Sequence, residues 1–269
     1  MTHQPVKIAI CGSSGRMGTR ISALALESPE IFKTVAHIDR VTSNAAENTP
    51  GVVSDLPPGV DVLIDFSAPA ATRAMIASCV KYKTAMVIGT TGLTAADQAL
   101  IDEAANNIAI LQATNTSLGI NVLLAIVAQT AQQLGAAYDI EIVEAHHNQK
   151  KDSPSGTALS LAQAICQATG RDINEALVHG RHGGDTLRKA GDIGMHAVRM
   201  GDVIGEHTVY FAIAGERVEV KHTASTRDTF ARGALRAAAY MAGKPPGRYS
   251  MSDVLGIGAA AKELEVSLP

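Results

Sequence analysis

Short apolar runs alternate with helix-like stretches through the first 116 residues of the chain. The apolar run at 6–11 predicts a buried strand, and the segment at 19–28 has the pattern of a helix. The alternation continues with predicted strands at 34–38, 60–66, 85–88 and 108–111 and predicted helices at 69–81 and 94–106. Such alternation predicts an α/β fold with a doubly wound parallel sheet, in which ligands bind beyond the carboxyl ends of the strands.

The pattern changes after residue 117. A long apolar helix is predicted at 118–134, a strand at 139–144 and a helix at about 154–169. Three candidate strands follow at 193–200, 208–214 and 217–223, with a hairpin turn predicted at 214–217. This region is predicted to be a second, α+β domain built on a mostly antiparallel open sheet. The last helix, at 227–241, is expected to pack back on the first domain.

A glycine-rich segment joins the first predicted strand to the first helix. Gly12, Gly15 and Gly18 recur every three residues, so the pattern is GxxGxxG rather than the stricter GxGxxG. In such a loop the first glycine permits a tight turn, the second lets a diphosphate approach the backbone, and the third allows close helix–strand packing. The segment therefore predicts a dinucleotide site, and a merely structural turn is the alternative.

The end of the second predicted strand bears on which dinucleotide is bound. Asp39 stands there, and an acid at this place can accept hydrogen bonds from the adenine-ribose diol. The neighbouring Arg40, and Arg16 in the glycine loop, would instead favour a 2′-phosphate. The sequence leaves NADH and NADPH open as alternatives.

The segment 144–158, with the sequence EAHHNQKKDSPSGTA, combines several kinds of chemistry. Two histidines and two lysines precede a predicted helix start, where Pro154 suits the first turn and Asp152 or Ser153 can cap. Residues 155–157 would offer backbone N–H groups and hydroxyls to an anion at the helix N-terminus. Imidazoles can move protons near neutral pH. The segment predicts an acid/base site for a carboxylate or phosphate, and a solvated basic loop is the alternative.

Composition narrows the class of protein. The chain has 269 residues, a net charge of −3 and no tryptophan, which disfavours nucleic acid as a partner. Three separated cysteines in apolar runs, without a CxxC pair, predict core thiols in a reducing compartment. The N-terminus lacks the features of a signal peptide, and the apolar run at 118–128 is too short to span a bilayer. We expect a soluble cytoplasmic protein with neither a membrane nor a nucleic-acid partner.

With these motifs in view, the chain resembles the 4-hydroxy-tetrahydrodipicolinate (dihydrodipicolinate) reductase family over almost its whole length. Segment 144–158 is similar to the family signature, with Ser153 replacing the common alanine, and 12–18, 87–92 and 201–208 also resemble family blocks. The resemblance implies NAD(P)H-dependent reduction of the cyclic product of aspartate semialdehyde and pyruvate, in the diaminopimelate route to lysine. It implies a Rossmann-type dinucleotide-binding domain at 1–117 and 228–269 and a substrate-binding and oligomerisation domain at 118–227. A homotetramer assembled through the latter is also implied.

The resemblance also implies roles for individual residues. His146 is the implied acid/base group and Lys150 the implied proton donor, while His147, Gly156 and Thr157 hold a small dicarboxylate substrate with Lys150 and Ser155 close by. The implied contacts to the dinucleotide are Gly12, Ser13, Ser14, Gly15, Arg16, Met17, Asp39, Arg40, Gly89, Thr90, Thr91, Ala113, Thr114, Asn115 and Thr116. Thr114 and Thr116 depart from the family pattern, because many members carry alanine and an aromatic residue at these places.

Three alternatives remain open at this point. A catalytic metal held by histidines is disfavoured because His146 and His147 are adjacent and there is no HExxH motif, so no metal is expected. Another two-domain NAD(P)-dependent dehydrogenase acting on a small amino or keto acid would share the glycine loop but does not require paired histidines before a helix start. A non-catalytic NAD(H)-sensing module would not need His146, Lys150 and the anion site together.

Overall fold

The computed structural model describes residues 4–39, 52–53 and 55–257. The chain divides into two compact units: the first is Met1–Leu118 with Asp228–Pro269, and the second is Gly119–Arg227. Within the described ranges, no helix is both long enough and apolar enough to cross a membrane.

The strands, in chain order, are β1 (Val6–Cys11), β2 (Phe32–Ile38), β3 (Val52–Val53), β4 (Val62–Asp65), β5 (Ala85–Ile88), β6 (Ala109–Gln112), β7 (Asp139–His146), β8 (Leu177–His179), β9 (Ile193–Arg199), β10 (Gly205–Ile213), β11 (Glu216–Ala224) and β12 (Gly247–Tyr249). The helices are α1 (Arg16–Leu26), α2 (Pro69–Tyr82), α3 (Ala95–Ala105), α4 (Leu118–Leu134), α5 (Gly156–Thr169), α6 (Ile173–Ala176), α7 (Asp228–Met241) and α8 (Met251–Leu255).

The first unit is built on a seven-stranded sheet with the order β12-β6-β5-β4-β1-β2-β3. All of its pairings are parallel. Ile8 and Ile10 face a core shared with α1 and α7, whereas Ala9 and Cys11 face a core shared with α2 and α3. Because both faces are covered, the central strands are apolar at almost every position, which explains their uninterrupted runs. The predicted doubly wound parallel sheet is confirmed.

Helix α7 covers one face of this sheet with small side chains. Ala231, Ala234, Ala237 and Ala238 are fully buried against the core that contains β1, β4 and β5. A side chain at Gly233 would place its Cβ 1.7 Å from the carbonyl oxygen of Thr116, so the helix lies in direct contact with the chain after β6. The small side chains therefore let α7 approach the sheet closely.

The second unit contains a five-stranded sheet with the order β11-β10-β7-β9-β8. Strand β10 is antiparallel to both β7 and β11, but β9 is parallel to β7 and to β8. The sheet is therefore mixed where a mostly antiparallel one was predicted, because α5 carries the chain back across the sheet before β8 and β9 and restores the strand direction. Helices α4 and α5 pack on one face, around Ile142, Val209 and Phe211.

Candidate active site

The loop after β1 requires glycine at two positions. Gly12 has φ +77°, and a Cβ there would lie 2.4 Å from the carbonyl oxygen of Phe66. A Cβ on Gly18 would lie 2.2 Å from the carbonyl oxygen of Gly12. A side chain at either place would force the backbone apart. The two glycines therefore allow the tight turn and the close packing of α1 that the glycine pattern predicts.

A cavity of about 410 Å³ lies beside this loop, beyond the carboxyl ends of β1, β2 and β4. Its lining includes four of the predicted cofactor residues, Gly12, Ser14, Gly15 and Asp39. It also includes residues that were not assigned from the sequence, namely Cys11, Ile38, Phe66, Ser67, Ala68, Ala71, Ala74 and Met75. A mostly apolar cleft, next to one carboxylate and to a loop whose glycines carry no side chains, fits the adenosine and diphosphate of a dinucleotide.

Asp39 already has partners in the glycine loop. Its Oδ2 accepts hydrogen bonds from the Ser14 N–H at 2.8 Å and from the Ser14 hydroxyl at 2.5 Å. A ribose diol would share this carboxylate with Ser14. Of the two arginines considered for a 2′-phosphate, Arg16 is exposed at the start of α1, and Arg40 lies outside the described residues.

The remaining predicted cofactor residues follow other strands of the sheet or lie in its core. Ser13 is buried, Met17 packs against the core, and residues 89–91 and 113–116 follow β5 and β6. Thr116 is only 2% exposed, and its hydroxyl donates to the carbonyl oxygen of Phe230 at 2.7 Å. The proton of the Thr116 hydroxyl is therefore already donated within the protein, and the structure does not bring these residues into the cavity lining.

A buried acid that was not singled out from the sequence supports the cavity wall. Asp65, the last residue of β4, accepts hydrogen bonds from the hydroxyls of Ser67 and Thr72. Burial raises the pKa of the Asp65 carboxyl, although these hydrogen bonds act in the opposite direction. The Ser67 N–H in turn donates to Thr90 Oγ1 at 2.9 Å. Asp65 thus holds the loop after β4 in place. The sequence feature that could have indicated this role is an acid at the end of an apolar strand.

In the second unit, the buried carboxylate of Glu144 binds groups from segment 144–158 and from β9. Glu144 is 0% exposed and lies on the same face of β7 as Ile140 and Ile142. Its two oxygens accept from Arg199 Nη1 and Nη2, each at 2.8 Å, and one also accepts from the Ser155 N–H at 3.0 Å. We call Glu144, His146, Ser155 and Arg199 the Glu144 cluster. Burial alone would raise the pKa of Glu144, but the hydrogen bonds from Arg199, His146 and Ser155 outweigh it and hold the pKa below its ordinary value.

His146 is held by this carboxylate. Its Nδ1 lies 2.6 Å from Glu144 Oε2, and because an ionised carboxylate only accepts, Nδ1 carries the proton that is donated. Burial lowers the pKa of His146, and the Glu144 carboxylate only partly offsets this effect. The imidazole is therefore neutral at pH 7, with an unprotonated Nε2. Such an orientation by a buried carboxylate is a common arrangement for an acid/base histidine.

The start of α5 differs from the prediction. The helix begins at Gly156, and its cap is Ser155, whose Oγ accepts from the Ala158 N–H at 3.1 Å, rather than Asp152 or Ser153. Pro154 precedes the cap instead of lying in the first turn. The reason is local, because a serine hydroxyl reaches the third N–H of the helix and Glu144 fixes the Ser155 N–H. The Ser155 N–H is therefore taken, and the N–H groups of Gly156 and Thr157 lie in the first turn of the helix.

Lys150 and His147 occupy the turn between β7 and α5. Lys150 Nζ forms a 2.8 Å ion pair with Asp152, and the Lys150 N–H donates to the carbonyl oxygen of His147. The hydrogen bond from Lys150 lowers the pKa of the Asp152 carboxyl. Arg199 Nη2 also donates to the carbonyl oxygen of Asp152 at 2.8 Å, which ties this turn to the Glu144 cluster. The structure thus brings the predicted substrate residues of 146–157 onto one turn and one helix start.

Two side chains from distant positions complete this arrangement, and neither was assigned to the substrate site from the sequence. Arg199 is aligned with His146 in the pairing of β7 with β9, and His207 is aligned with Glu144 in the pairing of β7 with β10. The His146 and His207 rings lie 5.2 Å apart in an edge-to-face arrangement. The sequence feature that could have indicated such partners is Glu144. It alternates with Ile140 and Ile142 on the buried face of a strand, and a buried acid must be paired. In the described part of the chain, no three His, Cys, Asp or Glu side chains converge as metal ligands would.

A parallel doubly wound sheet with a glycine loop and an acid after its second strand, together with a second unit that carries a carboxylate–imidazole pair, defines a two-domain nucleotide-dependent oxidoreductase. Comparison with known families agrees with this class. A model described as the dihydrodipicolinate reductase N-terminus matches residues 6–116, and one described as its C-terminus matches residues 119–255. The chain belongs to the dihydrodipicolinate reductase family.

Individual relatives support the same assignment. The 4-hydroxy-tetrahydrodipicolinate reductase of Syntrophotalea carbinolica is 41% identical over 266 residues, which cover 94% of this chain and 99% of that protein. The reductase of the same name from Alkalilimnicola ehrlichii is 44% identical over 265 residues, which cover 93% and 99%. The structure of dipicolinate-bound dihydrodipicolinate reductase from Paenisporosarcina sp. TG-14 shares the fold with a TM-score of 0.71 at 23% identity, over 91% of this chain and 97% of that one. The family and the oxidoreductase class predicted from the sequence are confirmed.

Proposed function

We propose that this chain reduces 4-hydroxy-tetrahydrodipicolinate to tetrahydrodipicolinate, with NADH or NADPH as the hydride donor and a site built on the Glu144 cluster, Lys150 and the start of α5. The observation that carries the proposal is the buried pair of Glu144 with His146, which stands beside a helix N-terminus and a lysine. The test is a coupled assay in which the substrate is made enzymatically from aspartate semialdehyde and pyruvate. Nucleotide oxidation that requires this substrate is expected, and its absence with both nucleotides would refute the proposal.

The anionic substrate is held, in this proposal, by the turn at 147–150 and the first turn of α5. Lys150 and His147 supply cationic or hydrogen-bonding groups for one carboxylate. The N–H groups of Gly156 and Thr157 and the hydroxyl of Ser155 face a second carboxylate, because the N-terminus of a helix favours negative charge. On substrate binding, Lys150 would break its ion pair with the exposed Asp152 and pair with a substrate carboxylate instead.

Proton delivery falls to the same residues. When bound, a reduced nicotinamide dinucleotide supplies the hydride. Reduction of a conjugated C=C–C=N system places negative charge on the ring nitrogen, so a cation that can also donate a proton is needed at that end. Lys150 fills this role, and His146 Nε2 acts as the acid/base group. Glu144 keeps the His146 ring in the tautomer that exposes Nε2.

The dinucleotide is held by the first unit in this proposal, through the glycine loop, Asp39 and the cavity beside them. The backbone of residues 12–17 would contact the diphosphate, and Asp39 the adenine ribose. Residues 89–91 and 113–115 would lie toward the nicotinamide end, because they follow β5 and β6 at the carboxyl edge of the sheet. No metal takes part. Three buried free thiols, Cys11, Cys79 and Cys166, support a reducing compartment such as the cytoplasm.

Replacement of Asp39 by alanine is expected to weaken NADH binding more than NADPH binding. The carboxylate can accept hydrogen bonds from the 2′-hydroxyl of NADH but repels the 2′-phosphate of NADPH. Loss of a hydrogen bond to a charged group should lower NADH affinity by roughly tenfold. Titration of both nucleotides measures this effect. Asp61→Ala is the matched control, since the Asp61 carboxylate accepts a hydrogen bond from the Lys7 N–H at the amino ends of the strands. Equal losses for both nucleotides would place the ribose contact elsewhere.

A homotetramer assembled through the second unit is the proposed quaternary state. Helices α4 and α5 pack on one face of the mixed sheet, whereas Val198 and Met200, on and just after β9, are 39% and 47% exposed. A sheet with apolar residues exposed on its second face is better stabilised when another subunit covers it.

Sedimentation is therefore expected to give four times the 27.9 kDa chain mass at micromolar concentration. Val198→Glu should shift the chain to smaller species, because it places a charge on the proposed contact face. Val35→Glu is the control, since Val35 is 38% exposed on β2 of the first unit. A monomeric wild type, or a Val198→Glu variant that remains tetrameric, would contradict this assembly.

A further inference from the structure

His207 makes a contact that the proposed mechanism has not used. Strand β10 places it opposite Glu144, where it is only 3% exposed. Its Nε2 lies 3.1 Å from Ser155 Oγ, the hydroxyl that caps α5. A buried imidazole beside the residue that begins an anion-binding helix can determine which way the serine hydroxyl points.

The surroundings of His207 fix its tautomer. Its Nδ1 is fully buried and has no hydrogen-bond partner among the described residues. Burial lowers the pKa of His207 to about 4, so the ring is neutral at pH 7 and carries one proton. A proton on Nδ1 would bury an N–H without an acceptor, and orphaned buried N–H groups are rare in proteins. The proton therefore belongs on Nε2, which donates it to Ser155 Oγ.

This assignment determines what Ser155 can offer a ligand. Its Oγ then accepts two hydrogen bonds, one from the Ala158 N–H and one from His207 Nε2, so both lone pairs are used. Its own N–H is bonded to Glu144. Its carbonyl oxygen accepts from the Leu159 N–H, so the hydroxyl proton is the group of Ser155 left for a ligand, and it can only donate.

We propose that His207 is a positioning residue that holds the Ser155 hydroxyl as a hydrogen-bond donor to a carboxylate of the bound substrate. The inference rests on the proposed function for the identity of the substrate, but its physical content is the binding of a planar dicarboxylate at the start of α5. Dipicolinate is a suitable probe, because it carries two carboxylates and its binding requires no turnover.

The experiment compares four variants by calorimetric titration with dipicolinate and by steady-state kinetics. His207→Leu should lose affinity by roughly ten- to a hundredfold, the range expected for a hydrogen bond to a charged group. KM should rise in parallel, while kcat and nucleotide affinity stay close to wild type. His207→Gln carries a donor near the position of Nε2 and should recover most of the affinity, whereas His207→Asn carries its donor near Nδ1 and should not. His222→Leu, which removes a neighbouring histidine on β11, should bind as the wild type does.

A double-mutant cycle separates positioning from a general loss of structure. If His207 acts through the Ser155 hydroxyl, Ser155→Ala and the double variant Ser155→Ala/His207→Leu should bind dipicolinate equally weakly. Additive losses, or equal affinities of the Gln and Asn variants, would overturn the inference. The Gln–Asn comparison decides the matter even if the leucine variant does not fold. A wild type that binds dipicolinate but reduces no substrate would refute the proposed function and leave the positioning role to be judged from the binding data.

Discussion

Replacement of Lys150 by alanine should lower turnover by about 10²–10⁴ while the affinity for the nicotinamide dinucleotide stays nearly unchanged. Two losses combine in this variant, because Lys150 is the proposed proton donor and also a cation for a substrate carboxylate. Lys150 belongs to the second unit, whereas the glycine loop and its cavity belong to the first. Nucleotide binding is therefore expected to be independent of the lysine.

Steady-state kinetics and a titration of nucleotide fluorescence measure the two quantities separately. Lys151→Ala is the matched control, since Lys151 is the adjacent residue and is exposed. It should keep most of the turnover. A Lys150→Ala enzyme whose nucleotide affinity fell as steeply as its turnover would contradict the assigned role, and one with wild-type turnover would remove Lys150 from the chemistry altogether.

Replacement of Glu144 by glutamine should reduce both stability and turnover. Glutamine keeps the shape but leaves Arg199 without its carboxylate partner and turns an acceptor for His146 into an amide. Breaking a buried ion pair from one side costs about 3–5 kcal/mol, and because the Arg199 side chain is 20% exposed, the lower end is expected. Turnover should fall by roughly a hundredfold, because His146 loses the group that fixes its tautomer.

The stability effect of Glu144 should depend on pH in a defined direction. The folded-state pKa of Glu144 lies below its ordinary value, so the stabilisation is fully present above that ordinary value and is lost as the pH falls through the folded-state pKa. Urea unfolding of wild type and Glu144→Gln should therefore differ at pH 7 and converge in acid. Glu206→Gln is the control, because Glu206 forms a partly exposed pair with Lys221. A Glu144→Gln enzyme with lowered stability but unchanged kcat would show that Glu144 has a structural role only.

The strength of the local pattern decided how much of the fold could be predicted. Helix α4 was predicted over its observed range, Leu118–Leu134, because a long apolar segment without glycine or proline after its first turn has few alternatives. Strand β1 was similarly clear. Strand β12 lies in a Gly- and Pro-rich stretch and exists because three residues pair with β6, a non-local contact that leaves no periodic trace. Strand β8 was missed for the same reason, whereas α6 was missed because a helix of four residues is too short to show a helical period.

The candidate site was predictable where its residues are close in sequence. His146, Lys150 and Ser155 fall within one turn and one helix start, so their motif reveals them together. Arg199 and His207 come to the cluster through the register of β7 with its two neighbours, and a one-residue shift in either register would turn them to the other face. Register on this scale is set by the packing of the whole sheet, so no local motif indicates it.

Helix α7 has a consequence for how the protein is made. Strands β1 to β6 precede residue 118, but the helix that covers one face of their sheet begins at Asp228, after the entire second unit. During synthesis the apolar residues on that face, such as Ile10 and Ile64, cannot pack against α7 until the second unit has left the ribosome. Contacts so distant along the chain form slowly. The nascent first unit therefore spends this interval with that sheet face covered by α1 but not by α7, and exposed apolar surface of this kind favours chaperone binding and aggregation.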